Sequence, residues 1–131
     1  MIKKQFTLYL ENKPGMLALI TNALATAKVN IEGVSVAEST DVSIMQMVVS
    51  KAQTTEKILK SKRIPFTEQD VALVHLDNKP GALAGIASKL AKAGININYV
   101  YATGCHCENC RGCYAIISSP NLKKVEAIWR K

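Results

Sequence analysis

The sequence predicts an α+β chain of two tandem units, each ordered β-α-β-β-α-β on an antiparallel sheet, the second without an evident last strand. Three observations predict it: a segment repeats at a fixed offset, each copy passes from strand to helix periodicity at the same place, and the composition suits small aliphatic cores. Leu10-Glu11-Asn12-Lys13-Pro14-Gly15-Met16-Leu17-Ala18 returns 66 positions later as Leu76-Asp77-Asn78-Lys79-Pro80-Gly81-Ala82-Leu83-Ala84. Of the 25 ungapped pairs from position 10 to 34, 14 are identical, which marks a duplication. The units are 1–68 and 69–131, each so small that it is expected to need the other to bury its apolar face. The 131 residues are 48% apolar, yet only two Phe, four Tyr and one Trp are aromatic, so Val, Ile, Leu, Met and Ala must fill the cores.

In the first unit Phe6, Leu8 and Leu10 alternate with Gln5, Thr7 and Tyr9, a strand pattern. Its counterpart, Val71 to Leu76, is nearly continuous in apolar residues and reads as a strand covered on both faces. Asn-Lys-Pro-Gly then breaks each strand. Pro14 and Pro80 suit the first position of a helix. Leu17, Ile20 and Leu24, and likewise Leu83, Ile86 and Leu90, recur at helical spacing, with Gly94 ending the second helix. After the first helix the apolar parity slips at Gly33, which predicts a bulge. Ser39-Thr40-Asp41 is a turn, Ile44 to Val49 a strand, Thr54 to Lys60 a short helix, and Arg63 to Thr67 a weak strand. The second unit supplies strands over Ile95 to Tyr101 and Tyr114 to Ser118, then a helix from Leu122 to Trp129 capped by Asn121.

Composition excludes several classes. A charged fraction of 21% with few Gly and Pro is globular rather than disordered or low-complexity. No apolar run approaches the ~20 residues that span a bilayer, and Met1 to Phe6 lacks the pattern of a signal peptide; a cytoplasmic protein without membrane partners is expected. The net charge of +7 invites a polyanion, but the basic residues are scattered and not interleaved with aromatics, which argues against nucleic acid. Nothing assembles a nucleophile, a base and an oxyanion site, so catalysis is not expected. His75 sits in a strand pattern as a packed residue, and Met45 and Met47 fit a strand face.

The repeated pattern Asn-Lys-Pro-Gly-x-Leu-Ala-x-Ile, then Leu-Ala and Asn-Ile at fixed spacing, resembles the ACT domain, a ferredoxin-like βαββαβ module that binds small ligands. The resemblance covers nearly the whole chain as two copies. A helix beginning at Pro14 leaves the amides of Gly15, Met16 and Leu17 unpaired with the positive end of the dipole behind them, which suits a small anion. Gly15 allows close approach, and Asn12 and Asn30 offer amide groups. The same holds for Pro80, Gly81, Ala82, Leu83, Asn78 and Asn96. The resemblance implies that this turn and the start of the second strand, Asn30-Ile31 and Asn96-Ile97, bind a regulatory amino acid at an interface between ACT units. The exposed edge left by the missing last strand predicts a partner or a homodimer, and a regulatory subunit of a separately encoded biosynthetic enzyme is a further reading. The other reading of Asn12 and Asn78 is that they only shape the turn and cap the helix.

The segment 104–113 is expected to be a cysteine-rich hairpin loop. Cys105, Cys107, Cys110 and Cys113 are spaced C-x-C-x₂-C-x₂-C, with His106 as a further donor. Four thiolates match the ligand set of zinc or an iron–sulfur cluster, although the spacing is unusual for both. Arg111 would favour thiolates, so a redox pair Cys107–Cys110 or Cys110–Cys113 stands beside the metal, and four reduced unliganded thiols are the third reading. Two function classes follow: an amino-acid-binding regulator, or a metal- or redox-sensing protein with the ACT units as scaffold.

Overall fold

The computed structural model describes residues 1–103 and 113–129. Ten elements follow in order: β1 (Ile2–Glu11), α1 (Met16–Thr26), β2 (Ile31–Ser39), β3 (Val42–Val49), α2 (Ala52–Ser61), β4 (Phe66–His75), α3 (Ala82–Lys92), β5 (Tyr99–Ala102), β6 (Tyr114–Ser118) and α4 (Leu122–Trp129). The fold class is as predicted, two ferredoxin-like α+β units. They comprise Lys4–Gln69, and Asp70–Lys131 together with Met1–Lys3.

In the unit Lys4–Gln69 the strand order is β2-β3-β1-β4. Alternation along β1 puts Phe6, Leu8 and Leu10 on one face, and the antiparallel register sets Phe6 opposite Met47 and Leu8 opposite Met45. These side chains close on Ile20 and Leu24 of α1 and Leu59 of α2 as one buried cluster. The bulge predicted at Gly33 is present as a register shift between Ile31 and Gly33.

The other unit builds the same core with smaller side chains. In its strand order β4-β6-β5, Ala72 faces Ile117 and Val74 faces Ala115. With Ile86 and Leu90 of α3 and Val125 of α4 they form the second cluster, against which Trp129 packs. Val71, Ala72, Leu73 and Val74 are all buried, as the unbroken apolar run predicts. Asn121 caps α4, its Oδ1 accepting the Lys124 N–H at 3.1 Å. Burial beside Tyr99 pushes the Tyr101 phenol on β5 well above its usual range.

Four expectations need correction. The strands expected at Arg63–Thr67 and Val71–Leu76 are one strand, β4; the polar run Glu68-Gln69-Asp70 between them carries no Gly or Pro and does not interrupt the strand. The strand expected from Ile95 begins only at Tyr99. Leu17 and Leu83 were assigned to the covered stripe of their helices, but they are 48% and 45% exposed, and burial begins at Ile20 and Ile86. Last, the missing strand of the second unit does not leave β4 open beside it. The Leu73 N–H donates to the Met1 carbonyl at 2.7 Å, so Met1–Lys3 lie where that strand would be, and the edge no longer argues for a homodimer. Among the described residues no helix is long and apolar enough to cross a membrane.

Candidate functional site

Both Pro-Gly turns have the same backbone. Gly15 has φ 89° and ψ −9°, Gly81 φ 85° and ψ −7°. These are the dihedrals of the third residue of a type II turn, with Pro in the second place, and only Gly adopts them without strain. The Ala82 N–H closes that turn on the Lys79 carbonyl at 3.3 Å. Each helix therefore starts one residue after the Gly, at Met16 and Ala82, rather than at Pro14 and Pro80 as expected. The first intrahelical bonds run from the Leu19 N–H to the Gly15 carbonyl and from the Gly85 N–H to the Gly81 carbonyl, both 2.9 Å. The amides of Leu83 and Ala84 consequently have no acceptor within α3.

Beside the second turn lies a cleft of about 350 Å³, lined among others by Leu76, Gly81, Ala82, Ile86 and Trp129. Its polar wall comes from the end of β4 and the turn. The Asp77 carboxylate stands between the His75 Nδ1 at 3.6 Å and the Lys79 Nζ at 3.8 Å. The His75 imidazole packs edge-on to Tyr114, and its Nε2 is buried with no hydrogen-bond partner among the described residues. Gly85 and Lys89 come from α3. Ala82, Gly85, Ile86 and Lys89 follow the i, i+3, i+4, i+7 rule and so share one helix face.

The first copy differs at these places. Leu19 stands where the second copy has Gly85, Ala23 where it has Lys89, and Tyr9 where it has His75. Leu59, four residues after the buried Thr55 of α2, is fully buried; Trp129, four residues after the buried Val125 of α4, is not. These differences are side-chain substitutions on a turn backbone that the copies share.

The structure brings together only part of what the sequence singled out. Gly81 and Ala82 line the cleft; Asn78, Pro80 and Leu83 stand at its turn without lining it. Asn12 does not cap α1; it is exposed and bonded to neighbouring strands. Its Nδ2 donates to Glu38 Oε2 and its Oδ1 accepts from the Ser43 hydroxyl, both at 3.4 Å, which ties the turn to β2 and β3. Met16 packs on the first core. Within each unit the Asn-Ile pairs do not join the turns, because an 11-residue helix, about 16 Å long, separates them. Asn30 instead pairs with Ser50, its N–H on the hydroxyl and its carbonyl taking the Ser50 N–H, each at 2.9 Å. Ile31 opens β2. Asn96 lies in a second, smaller cleft with Gly94, Asn121 and Lys124, and Ile97 packs on the second core. Gly85, Lys89 and Trp129 were not found from the sequence; comparing the copies position by position would have flagged the first two.

Cys105, His106, Cys107 and Cys110 lie outside the described residues. Cys113 is buried at the base of the hairpin, which the Thr103 N–H closes on the Tyr114 carbonyl at 2.9 Å. Its carbonyl accepts the Leu76 N–H at 2.9 Å, so the loop is joined by main chain to a wall of the cleft. Among the described residues no group of three or more His, Cys, Asp or Glu is placed to hold a metal ion.

A family model described as ACT domain pair matches residues 1–125, a span that includes both turns and both units. The chain belongs to the ACT domain pair family. No curated protein matches this ACT pair. A solved protein of Bacteroides thetaiotaomicron is 30% identical to it, over 99% of this chain and 88% of that one, with a TM-score of 0.86. The regulatory subunit of aspartate kinase from Thermus thermophilus, in its ligand-free form, is 19% identical over 99% of this ACT pair and 91% of that chain, with a TM-score of 0.69. The corresponding Thermus flavus subunit, also 19% identical over 99% and 92%, gives 0.67. The last two likenesses show the fold shared by the ACT pair and those subunits.

Proposed function

We propose that the chain is a non-catalytic regulator that binds a free amino acid in the cleft of its second ACT copy and responds by changing how ACT units assemble. The observation that carries this reading is the cleft itself. It sets a carboxylate able to take an ammonium group (Asp77) beside Lys79 and the start of α3, whose positive dipole end suits a carboxylate. A regulator of this kind acts through the differential affinity of its ligand for two arrangements. A homodimer, or a separately encoded biosynthetic enzyme, is the partner we propose, and the cytoplasm the compartment. Isothermal titration against the twenty amino acids, repeated with light scattering, tests the reading. Heat with a small subset and a ligand-dependent change in mass are expected. No heat and no melting shift with any of them overturns it.

A second reading is favoured by the main-chain bond between Cys113 and Leu76, which would pass a change in the hairpin to the cleft. In it Cys105, Cys107, Cys110 and Cys113, with His106, hold zinc or an iron–sulfur cluster. Removing metal with a chelator is then expected to lower the melting midpoint and release bound metal. An unchanged midpoint with no metal released counts against this second reading.

A further inference from the structure

Resting on that amino-acid reading, we infer that the cleft of the second copy selects an amino acid with a second carboxylate in its side chain, and that Lys89 is the residue that selects it. Within the cleft Asp77 lies 3.8 Å from Lys79, so these two charges largely offset each other. Lys89 is left over: it lines the same cleft, and among the described residues no carboxylate pairs with it. The lysine and aspartate side chains of the cleft thus sum to one positive charge. An amino acid with a neutral side chain is a zwitterion of zero net charge and leaves Lys89 unmatched. An acidic amino acid carries one net negative charge and matches the cleft.

Geometry agrees with the charge count. Lys89 lies seven positions along α3 from Ala82, about 10 Å of helix rise. Helical side chains lean toward the N-terminus of their helix, so the long Lys89 stem reaches back over Gly85 toward the turn. Gly85 has no side chain to block that path, and a Cβ built there meets nothing within 4 Å. The ammonium of Lys89 is thereby brought within one short dicarboxylic acid of the turn. In this pose the α-carboxylate sits at the Gly81-Ala82 start of α3, at the positive end of the helix dipole, the α-ammonium meets Asp77, and the side-chain carboxylate meets Lys89, with the Trp129 ring along the methylenes. The first copy, with Ala23 at this position, holds no such charge.

The test is titration of the full chain with L-aspartate, L-glutamate, L-asparagine and L-glutamine. The acid of at least one pair is expected to bind roughly tenfold or more tighter than its amide, the difference made by one charge-assisted contact. Lys89→Ala should bring the acid down to the affinity of the amide and leave the amide unchanged, and Lys89→Arg should keep the preference. Alanine is the best helix former and already stands at the equivalent Ala23, so the variant should fold, which an unchanged melting midpoint checks. Amides binding as tightly as acids, or an acid preference that survives Lys89→Ala, overturns this inference while leaving the amino-acid reading standing. Absence of heat with all twenty amino acids overturns both.

Discussion

Phe6→Ala is expected to remove about 3–5 kcal/mol of stability, the cost of a large ring lost from a core that cannot collapse around the gap. Phe6 is fully buried in the middle of β1, faces Met47 across the ladder and packs 5.9 Å from the ring of Phe66. Against a typical total of about 5–15 kcal/mol, such a loss takes a large share of the stability. Urea unfolding measures it, with an unchanged m-value showing that the native and unfolded states are otherwise the same. Leu17→Ala, at a side chain 48% exposed, is the internal comparison and should cost little. A Phe6→Ala loss no larger than that of Leu17→Ala would mean that the core is not built around this ring.

Gly85→Leu should separate binding from folding. It copies into the second copy the residue that the first copy carries at the same place, Leu19, whose side chain is 46% exposed on its helix. Gly85 has ordinary helical backbone with open space where a Cβ would go, so the helix should gain up to about 1 kcal/mol from losing a glycine. The new side chain would enter the cleft that Gly85 lines together with Asp77 and Lys89. Amino-acid binding is therefore expected to fall by roughly tenfold or more while the melting midpoint holds or rises. Binding that survives the substitution would move the ligand elsewhere on the molecule.

Much of the fold was legible because each element announced itself more than once. The repeat fixed the correspondence of the units, Ile20 with Leu24 and Ile86 with Leu90 marked the buried helix faces, and the slip of parity at Gly33 located a bulge. Two misreadings have a common cause, a local rule applied without its neighbour. Pro14 and Pro80 suit the first position of a helix, but the Gly that follows takes a positive φ, and together they make a turn before the helix begins. Glu68-Gln69-Asp70 looked like a connection, yet β4 passes through it, because polar residues interrupt a strand only where they bring a breaker.

The site was harder. Gly81 and Ala82 came from the motif, but Gly85 looks like a weak point in a helix and Lys89 like an ordinary solvated charge. Only the cleft gives them meaning, since Trp129 and His75 arrive there from other elements. Asn30 and Asn96 show the converse. They recur with the turn in sequence, yet the helices between hold them at the far ends of their units.

The near identity of the two turns, with glycine dihedrals a few degrees apart, bears on stoichiometry. If the cleft of the second copy alone takes a ligand, then valency is set by side chains rather than by the duplication. A chain with two ACT copies would then take up a single ligand molecule, and its binding curve alone would be hyperbolic. A sigmoidal response would require more than one chain, so the steepness of any regulation would belong to the assembly and not to the tandem pair.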